Sequence, residues 1–121
     1  MTYHLYYDQE CATCKEFIRI FEENSIEPLL KDLEAKVEGF LGTGGYRWEQ
    51  MDLAEEFAHP SAFIPMVLIE DENNRKLFAG GSKVEEKTNQ NKNIIIFTSH
   101  EDGIEKLQKI INKNKKSLTN V

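Results

Sequence analysis

The start of the chain shows two hydrophobic periods, one after the other. Tyr3 to Asp8 is aromatic, apolar and rich in β-forming residues, with no proline or glycine inside it, so it predicts a buried strand. From Cys14 to Phe21 the apolar residues recur at the helical period, and charged residues occupy the opposite side. This pattern is typical of an amphipathic helix, and the helix is predicted to end near Asn24-Ser25.

The segment that follows fits two interpretations. The apolar residues of Ile26 to Leu41 fit a helix with Pro28 in its first turn, whereas Ile26 to Leu33 also fits a short second strand followed by a short helix. The helix is the preferred interpretation. Tyr46 to Asp52 is predicted as a strand and Leu53 to His59 as a short helix, so the segment that supplies the second strand stays open.

A second group of elements is predicted from residue 64 onwards. Ile64 to Ile69 is apolar throughout, which indicates a strand covered on both faces in the middle of a sheet. Glu70 to Arg75 is predicted as a polar hairpin turn, and Lys76 to Ala79 as a partner strand that stops at Gly80-Gly81. Ser82 to Asn93 is almost entirely polar and predicts a mobile surface loop.

The last part of the chain predicts a long helix. Ile94 to Phe97 fits either one more buried strand or the approach to that helix. Thr98 or Ser99 is the expected N-cap, acidic residues follow in the first turn, and apolar residues continue along one side to Ile111, as in an amphipathic helix with favourable charges at its ends.

Composition excludes several classes of protein. The chain has 121 residues, the size of one compact domain, and no apolar run approaches the roughly 20 residues that cross a bilayer. Its 15 Lys and Arg face 21 Asp and Glu, a net charge of −6, which argues against binding to nucleic acid. No secretory signal is visible after Met1, so no membrane association and a cytoplasmic setting are expected.

Cys11 and Cys14 are the most informative residues. A C-x-x-C pair that a strand delivers to the start of a helix places its first sulfur among unpaired N–H groups at the positive end of the helix dipole. This position favours the thiolate, the nucleophilic form of cysteine. Asp8 and Glu10 oppose the thiolate, and Lys15 favours it. We therefore expect Cys11 to attack a disulfide and Cys14, the more buried cysteine, to resolve the intermediate.

Other interpretations of the cysteine pair and of the histidines stay open. A C-x-x-C also occurs by chance or as half of a zinc site, which in this chain would have to be shared between two copies. His4 is predicted to pack within or beside the first strand, His59 to end a helix, and His100 to lie in the first turn of the last helix. None of the three is assigned a catalytic role.

The order of these features resembles the thioredoxin-like superfamily. It comprises the strand Tyr3 to Asp8, the C-A-T-C at a helix start, the buried strand opened by Ile64-Pro65, a hairpin, Gly80-Gly81 and a terminal amphipathic helix. The resemblance implies an α/β, thioredoxin-like fold in one domain over residues 1–121, with a central mixed sheet of about four strands flanked by helices.

The resemblance also implies roles for particular residues. Pro65 matches the position where the superfamily has a cis-proline facing the cysteine pair, so Ile64 and Pro65 are expected to form one wall of a substrate groove, with Gly80 and Gly81 also binding substrate. The branch stays open: features of glutaredoxins and of thioredoxins both occur, and the D-x-x-C-x-x-C pattern is similar to the DCC group of thiol-disulfide oxidoreductases.

The implied activity is thiol-disulfide exchange at Cys11 and Cys14. The expected substrate is a disulfide-containing protein or a small thiol, and the electron donor is a reductase or glutathione, the latter as a co-substrate. No metal and no organic cofactor is required. The alternative is a non-catalytic binding module of the same fold that holds a partner in the groove near Pro65 and on the loop Ser82 to Asn93.

Overall fold

The protein forms a mixed β-sheet with helices on both faces. The structure, a computed structural model, describes residues 1–35, 44–59 and 64–119. In chain order its elements are β1 (Thr2–Tyr7), α1 (Ala12–Glu23), β2 (Leu29–Asp32), α2 (Gly45–Glu56), β3 (Met66–Glu70), β4 (Arg75–Gly80), α3 (Lys83–Thr88), β5 (Ile94–Phe97) and α4 (His100–Thr119).

The strands lie in the order β2-β1-β3-β4-β5. β1 is parallel to β2 and antiparallel to β3, β3 and β4 form an antiparallel hairpin, and β5 is parallel to β4. The α/β class, the hairpin and the central place of β3 are confirmed. The expected number of strands is wrong, because the described chain contributes five strands to the sheet: β5 extends it beyond the hairpin at one edge, and β2 forms the other edge.

The sheet has an apolar core on each face, because side chains alternate between the two faces of a strand. On one face α1 and α4 cover the aromatic cluster of Phe17, Phe21, Phe78 and Phe97. On the other face α2 supplies Leu53, and Phe57 follows directly after the helix. The strand residues buried on the first face are Tyr3, Leu5, Val67, Ile69, Phe78 and Phe97, and those on the second face are Tyr6, Met66, Leu68, Leu77, Ala79, Ile94 and Ile96.

Two predictions for the middle of the chain are wrong. The preferred helix over Ile26 to Leu41 is replaced at Leu29–Asp32 by a strand parallel to β1, and residues 36–41 of that prediction lie outside the described residues. Leu29 and Leu30 are exposed on this edge strand, so their apolar character does not report a buried helical stripe. Tyr46 to Asp52 is not a strand but part of α2.

Most of α2 was not predicted from the sequence, because several of its apolar residues are exposed. Trp48 and Met51 face solvent, whereas Gln50, a polar residue, is buried. The hydrophobic pattern therefore does not follow the buried side over residues 45–52, and only the last turn of α2, residues 53–56, lies within the predicted helix Leu53 to His59. Gly44 starts the helix with a positive φ of 82°, a conformation that glycine adopts without steric cost.

The C-terminal third contains one more helix than predicted. The predicted loop Ser82 to Asn93 includes the short helix α3, whose Ser82 forms a capping box with Glu85. This local motif is visible as S-x-x-E in the sequence, but α3 has no buried residue and so lacks a hydrophobic stripe. Ile94–Phe97 is a strand, and the predicted terminal helix is confirmed as α4.

No helix in the described part of the chain has the length and apolar character needed to cross a bilayer.

Candidate functional site

The two cysteines lie where β1 turns into α1. The Cys11 N–H donates to the carbonyl of Asp8 at 3.2 Å, which closes the turn. Cys11 is the N-cap of α1, in extended conformation, and its Sγ accepts a hydrogen bond from the Cys14 N–H at 3.1 Å. A sulfur in this position replaces the hydroxyl or carboxylate oxygen of an ordinary N-cap residue, so the predicted placement of Cys11 at the helix start is confirmed.

The two thiols have different environments. Both cysteines are free; Cys11 is half-buried and Cys14 is buried. Burial raises the pKa of the Cys14 thiol, and its hydrogen bond with Cys11 raises the pKa further, whereas the backbone of Asp8 acts in the opposite direction. The net effect is a neutral Cys14 thiol behind a more accessible Cys11 sulfur.

The residues predicted to bind substrate come together at the same end of the sheet. Met66 pairs with Tyr6, so Pro65 lies where β1 leads toward Cys11. Ala79 pairs with Met66 on the other side, which places Gly80 beside Pro65. The Ile64-Pro65 bond is cis, as the resemblance implies. A pocket of about 210 Å³ is lined by Ile64, Gly80, Gly81, Phe97, Thr98 and Ser99.

Gly81 is held in a position that excludes a side chain. A Cβ at this residue would lie 2.9 Å from Cγ2 of Ile96, which is closer than carbon atoms approach one another. The Gly81 N–H donates to the carbonyl of Phe97 at 3.0 Å, so the backbone is tied to β5 here. Close packing against Ile96 therefore requires glycine at this position, beside the pocket that Gly81 lines.

His100 is a residue near the cysteines that sequence reasoning missed. It lies in the first turn of α4, as predicted, and its Nδ1 is 2.7 Å from the hydroxyl of Thr13. Thr13 stands between the two cysteines, so the contact joins the starts of α1 and α4. The two residues are 87 positions apart, and no local sequence pattern reports a contact over that separation.

His59 contacts the backbone of Gly80, one of the residues that line the pocket. Its side chain is buried, and its Nε2 is 3.0 Å from the carbonyl of Gly80. A carbonyl only accepts hydrogen bonds, so Nε2 carries the proton. Nδ1 lies 4.0 Å from the carboxylate of Glu85. His59 was predicted to end a helix; α2 ends at Glu56, and the His59 N–H donates back to the carbonyl of Ala54 in its last turn. The contact of His59 with Gly80 is a role that the sequence did not indicate.

The surface on the other side of Cys11 is acidic. A cavity of about 480 Å³ is lined by Asp8, Gln9, Glu10, Asp32 and Glu34. Gln9 donates to the Asp32 carboxylate at 2.9 Å, and the Glu10 N–H donates to the Asp8 carboxylate at 2.9 Å. Asp8 and Glu10, the carboxylates predicted to oppose the thiolate, therefore line a cavity on the turn that leads to Cys11. The backbone N–H of Cys14, by contrast, contacts the Cys11 sulfur directly.

Comparisons with protein-family models, with curated proteins and with solved structures give no significant match to this chain. Within residues 1–35, 44–59 and 64–119, no three His, Cys, Asp or Glu side chains are grouped as a metal centre requires. The arrangement offers a half-buried sulfur that accepts a backbone hydrogen bond, a second, buried sulfur, and a pocket lined in part by two glycines at the same end of the sheet. These are the elements of nucleophilic sulfur chemistry.

Proposed function

We propose that this protein is a thiol-disulfide oxidoreductase of the thioredoxin-like superfamily. The observation that carries the proposal is the position of Cys11, whose Sγ accepts the Cys14 N–H at the start of α1 while Cys14 is buried behind it. A hydrogen-bond donor at a helix N-terminus stabilises a thiolate. Burial keeps Cys14 neutral until the substrate disulfide has been opened.

The order of the elements supports the superfamily assignment. β1 leads directly to the C-x-x-C at the start of α1, β3 begins after Ile64-Pro65 at the centre of the sheet, and a hairpin leads to Gly80-Gly81. The long helix α4 is the last described element and packs on the same face of the sheet as α1. The additional strand β5 and helix α3 lie between Gly80-Gly81 and α4.

The reaction proceeds in two exchanges. The Cys11 thiolate attacks one sulfur of a substrate disulfide, so that a Cys11–substrate disulfide forms and the other substrate sulfur leaves as a thiolate, which takes up a proton. The Cys14 thiol then attacks Sγ of Cys11, and its proton passes to the departing substrate sulfur. The Cys11–Cys14 disulfide forms, the remaining substrate sulfur leaves, and two electrons have passed from the protein to the substrate.

The reduced pair is restored by a thiol reductant, either glutathione or the dithiol of a reductase. A cytoplasmic setting, where such reductants keep thiols reduced, agrees with this proposal. The substrate is a disulfide-containing protein or a small disulfide, which would bind beside Ile64 and Pro65 and along the pocket lined by Gly80 and Gly81.

Trapping of the intermediate tests the proposal. A Cys14→Ser variant is expected to accumulate mixed disulfides with a small disulfide substrate, because the resolving sulfur is gone. A Cys11→Ser variant is expected not to do so, because its one thiol is buried. The two are matched controls for each other, since each retains one cysteine of the same pair, and mass spectrometry of the intact protein measures the adduct. Equal adduct formation by the two variants would reject the proposal in favour of the binding module.

A further inference from the structure

The contact between His100 and Thr13 ties the C-x-x-C turn to a different part of the fold. The Thr13 hydroxyl and Nδ1 of His100 are 2.7 Å apart. They share one proton in either histidine tautomer, because a hydroxyl both donates and accepts. Thr13 is in the first turn of α1, where backbone N–H groups lack helical partners and the helix is least restrained.

The first turn of α4 holds His100 in place. The Ser99 hydroxyl accepts from the Asp102 N–H at 3.1 Å. The Asp102 carboxylate in turn accepts from the Thr98 N–H at 2.9 Å and pairs with Lys106 at 3.1 Å. These bonds connect the end of β5 to the start of α4, so His100 projects from a turn that is fixed relative to the sheet.

A glycine brings this turn close to α1. A Cβ at Gly103 would lie 3.0 Å from the ring of Phe97 and 3.3 Å from the ring of Phe17. The absence of a side chain at Gly103 therefore allows the start of α4 to pack directly against a ring of α1 and a ring of β5. The His100–Thr13 hydrogen bond spans this tight junction.

We infer that His100 is a positioning residue for the dithiol, acting through Thr13. The N–H that donates to Cys11 Sγ belongs to the planar peptide unit between Thr13 and Cys14, and a planar unit moves as one body. Fixing the Thr13 side chain therefore restrains the direction of that N–H. This role of His100 rests on the proposed function, because the Cys11 sulfur that accepts this N–H is the proposed nucleophile.

The rate of Cys11 alkylation by iodoacetamide tests this inference. In a Cys14→Ser background, which leaves Cys11 as the only thiol, His100→Ala and Thr13→Val are each expected to slow alkylation by about fivefold, the factor that one ordinary hydrogen bond supplies. The alkylation rate of the double variant is expected to fall no further than that of either single variant, because both substitutions remove the same hydrogen bond. His100→Asn is expected to recover most of the rate, since its amide can bond Thr13 in place of Nδ1.

Glu101→Ala is the matched control, because Glu101 is an exposed neighbour of His100 in the same turn, and its alkylation rate is expected to be unchanged. With both cysteines present, His100→Ala and Thr13→Val are expected to shift the reduction potential measured against glutathione in the same direction. The inference is overturned if the His100→Ala variant is alkylated as fast as the Cys14→Ser protein itself. It is also overturned if the two reductions in alkylation rate multiply in the double variant. Alkylation needs no disulfide exchange, so failure of mixed-disulfide trapping with the coupling intact would reject the proposed function alone.

Discussion

Cys11 and Cys14 lie on the same turn, but their thiols differ in exposure to solvent. Cys11 is half-buried at the N-cap, whereas Cys14 faces the interior and has an exposed fraction of 0%. A buried thiolate loses hydration that the interior does not replace, so burial raises the pKa of the Cys14 thiol. In the proposed reaction, the more accessible Cys11 is therefore the attacking residue, and the buried Cys14 is the residue that resolves the mixed disulfide.

Alkylation of single-cysteine variants measures this difference. At pH 7, Cys14 in a Cys11→Ser variant is expected to react at least about tenfold more slowly than Cys11 in a Cys14→Ser variant, because it is buried and predominantly neutral. Its rate should rise as the pH increases beyond the ordinary range of a cysteine, since the raised pKa delays ionisation. In denaturant both variants should react alike. Equal rates in the folded proteins would contradict the burial argument.

The helices α1 and α2 end in the same way. In each, the N–H groups of two residues beyond the helix donate back to carbonyls in its last turn: Ser25 to Glu22 and Ile26 to Phe21 in α1. The bonds in α2 are Ala58 to Glu55 and His59 to Ala54. This is the Schellman pattern, whose turning residue adopts the left-handed conformation and is usually glycine. Here it is Ser25 with φ 57° and Ala58 with φ 54°.

Replacement of the turning residue of α2 should stabilise the protein. Ala58→Gly is expected to raise the free energy of unfolding by about 0.5–1 kcal/mol, because the left-handed conformation costs more for alanine than the extra chain entropy costs for glycine. Ala54→Gly, inside the same helix, is the matched control and is expected to lower it by about 1 kcal/mol or more. Urea unfolding measures both. A loss of stability in both variants would show that the conformation of Ala58 is not strained.

The whole molecule contains two sets of ionisable groups that respond to pH in opposite directions. Burial acts to raise the pKa of Glu49, but hydrogen bonds from Lys31 and Tyr6 outweigh it and hold that pKa below its usual value. Asp102 is similar: burial is outweighed by Thr98 and Lys106. By contrast, the Tyr6 hydroxyl and the Cys14 thiol have raised pKa values, chiefly because of burial.

These shifts predict a stability maximum near neutral pH. The folded-state pKa values of Glu49 and Asp102 lie below their unfolded values, so their stabilisation is present above about pH 4 and is lost as the pH falls. The pKa values of Cys14 and Tyr6 are raised, so the free energy of unfolding should also fall as the pH rises above about 8.5, where an unfolded thiol ionises.

Urea unfolding across the pH range measures this profile. Glu49→Gln is expected to flatten part of the acid limb, while substitution of the exposed Glu22 by glutamine is the control and should leave the limb unchanged. An acid limb of equal slope in the Glu49→Gln variant would contradict the role of the Lys31 and Tyr6 bonds. A Cys14→Ala variant should likewise flatten the start of the alkaline limb.

Local sequence patterns were sufficient to predict those helices and strands whose buried side is also their apolar side. β1, α1, the β3–β4 hairpin and α4 all meet this condition, and each was predicted close to its observed bounds. The placement of Cys11 at a helix start followed from the same local reasoning, since it required only a strand running directly into an amphipathic helix. Hydrophobic periodicity is a local consequence of burial, and it reports these elements reliably.

Tertiary structure decided the rest. β2 is a strand because it pairs with β1 along the backbone, although its leucines are exposed, and α2 is a helix although Trp48 faces solvent. The contacts of His100 with Thr13 and of His59 with Gly80 arise because the sheet brings distant segments to one end. Backbone pairing and contacts over long separations leave no periodic trace in the residues that make them, so only the folded chain reveals them.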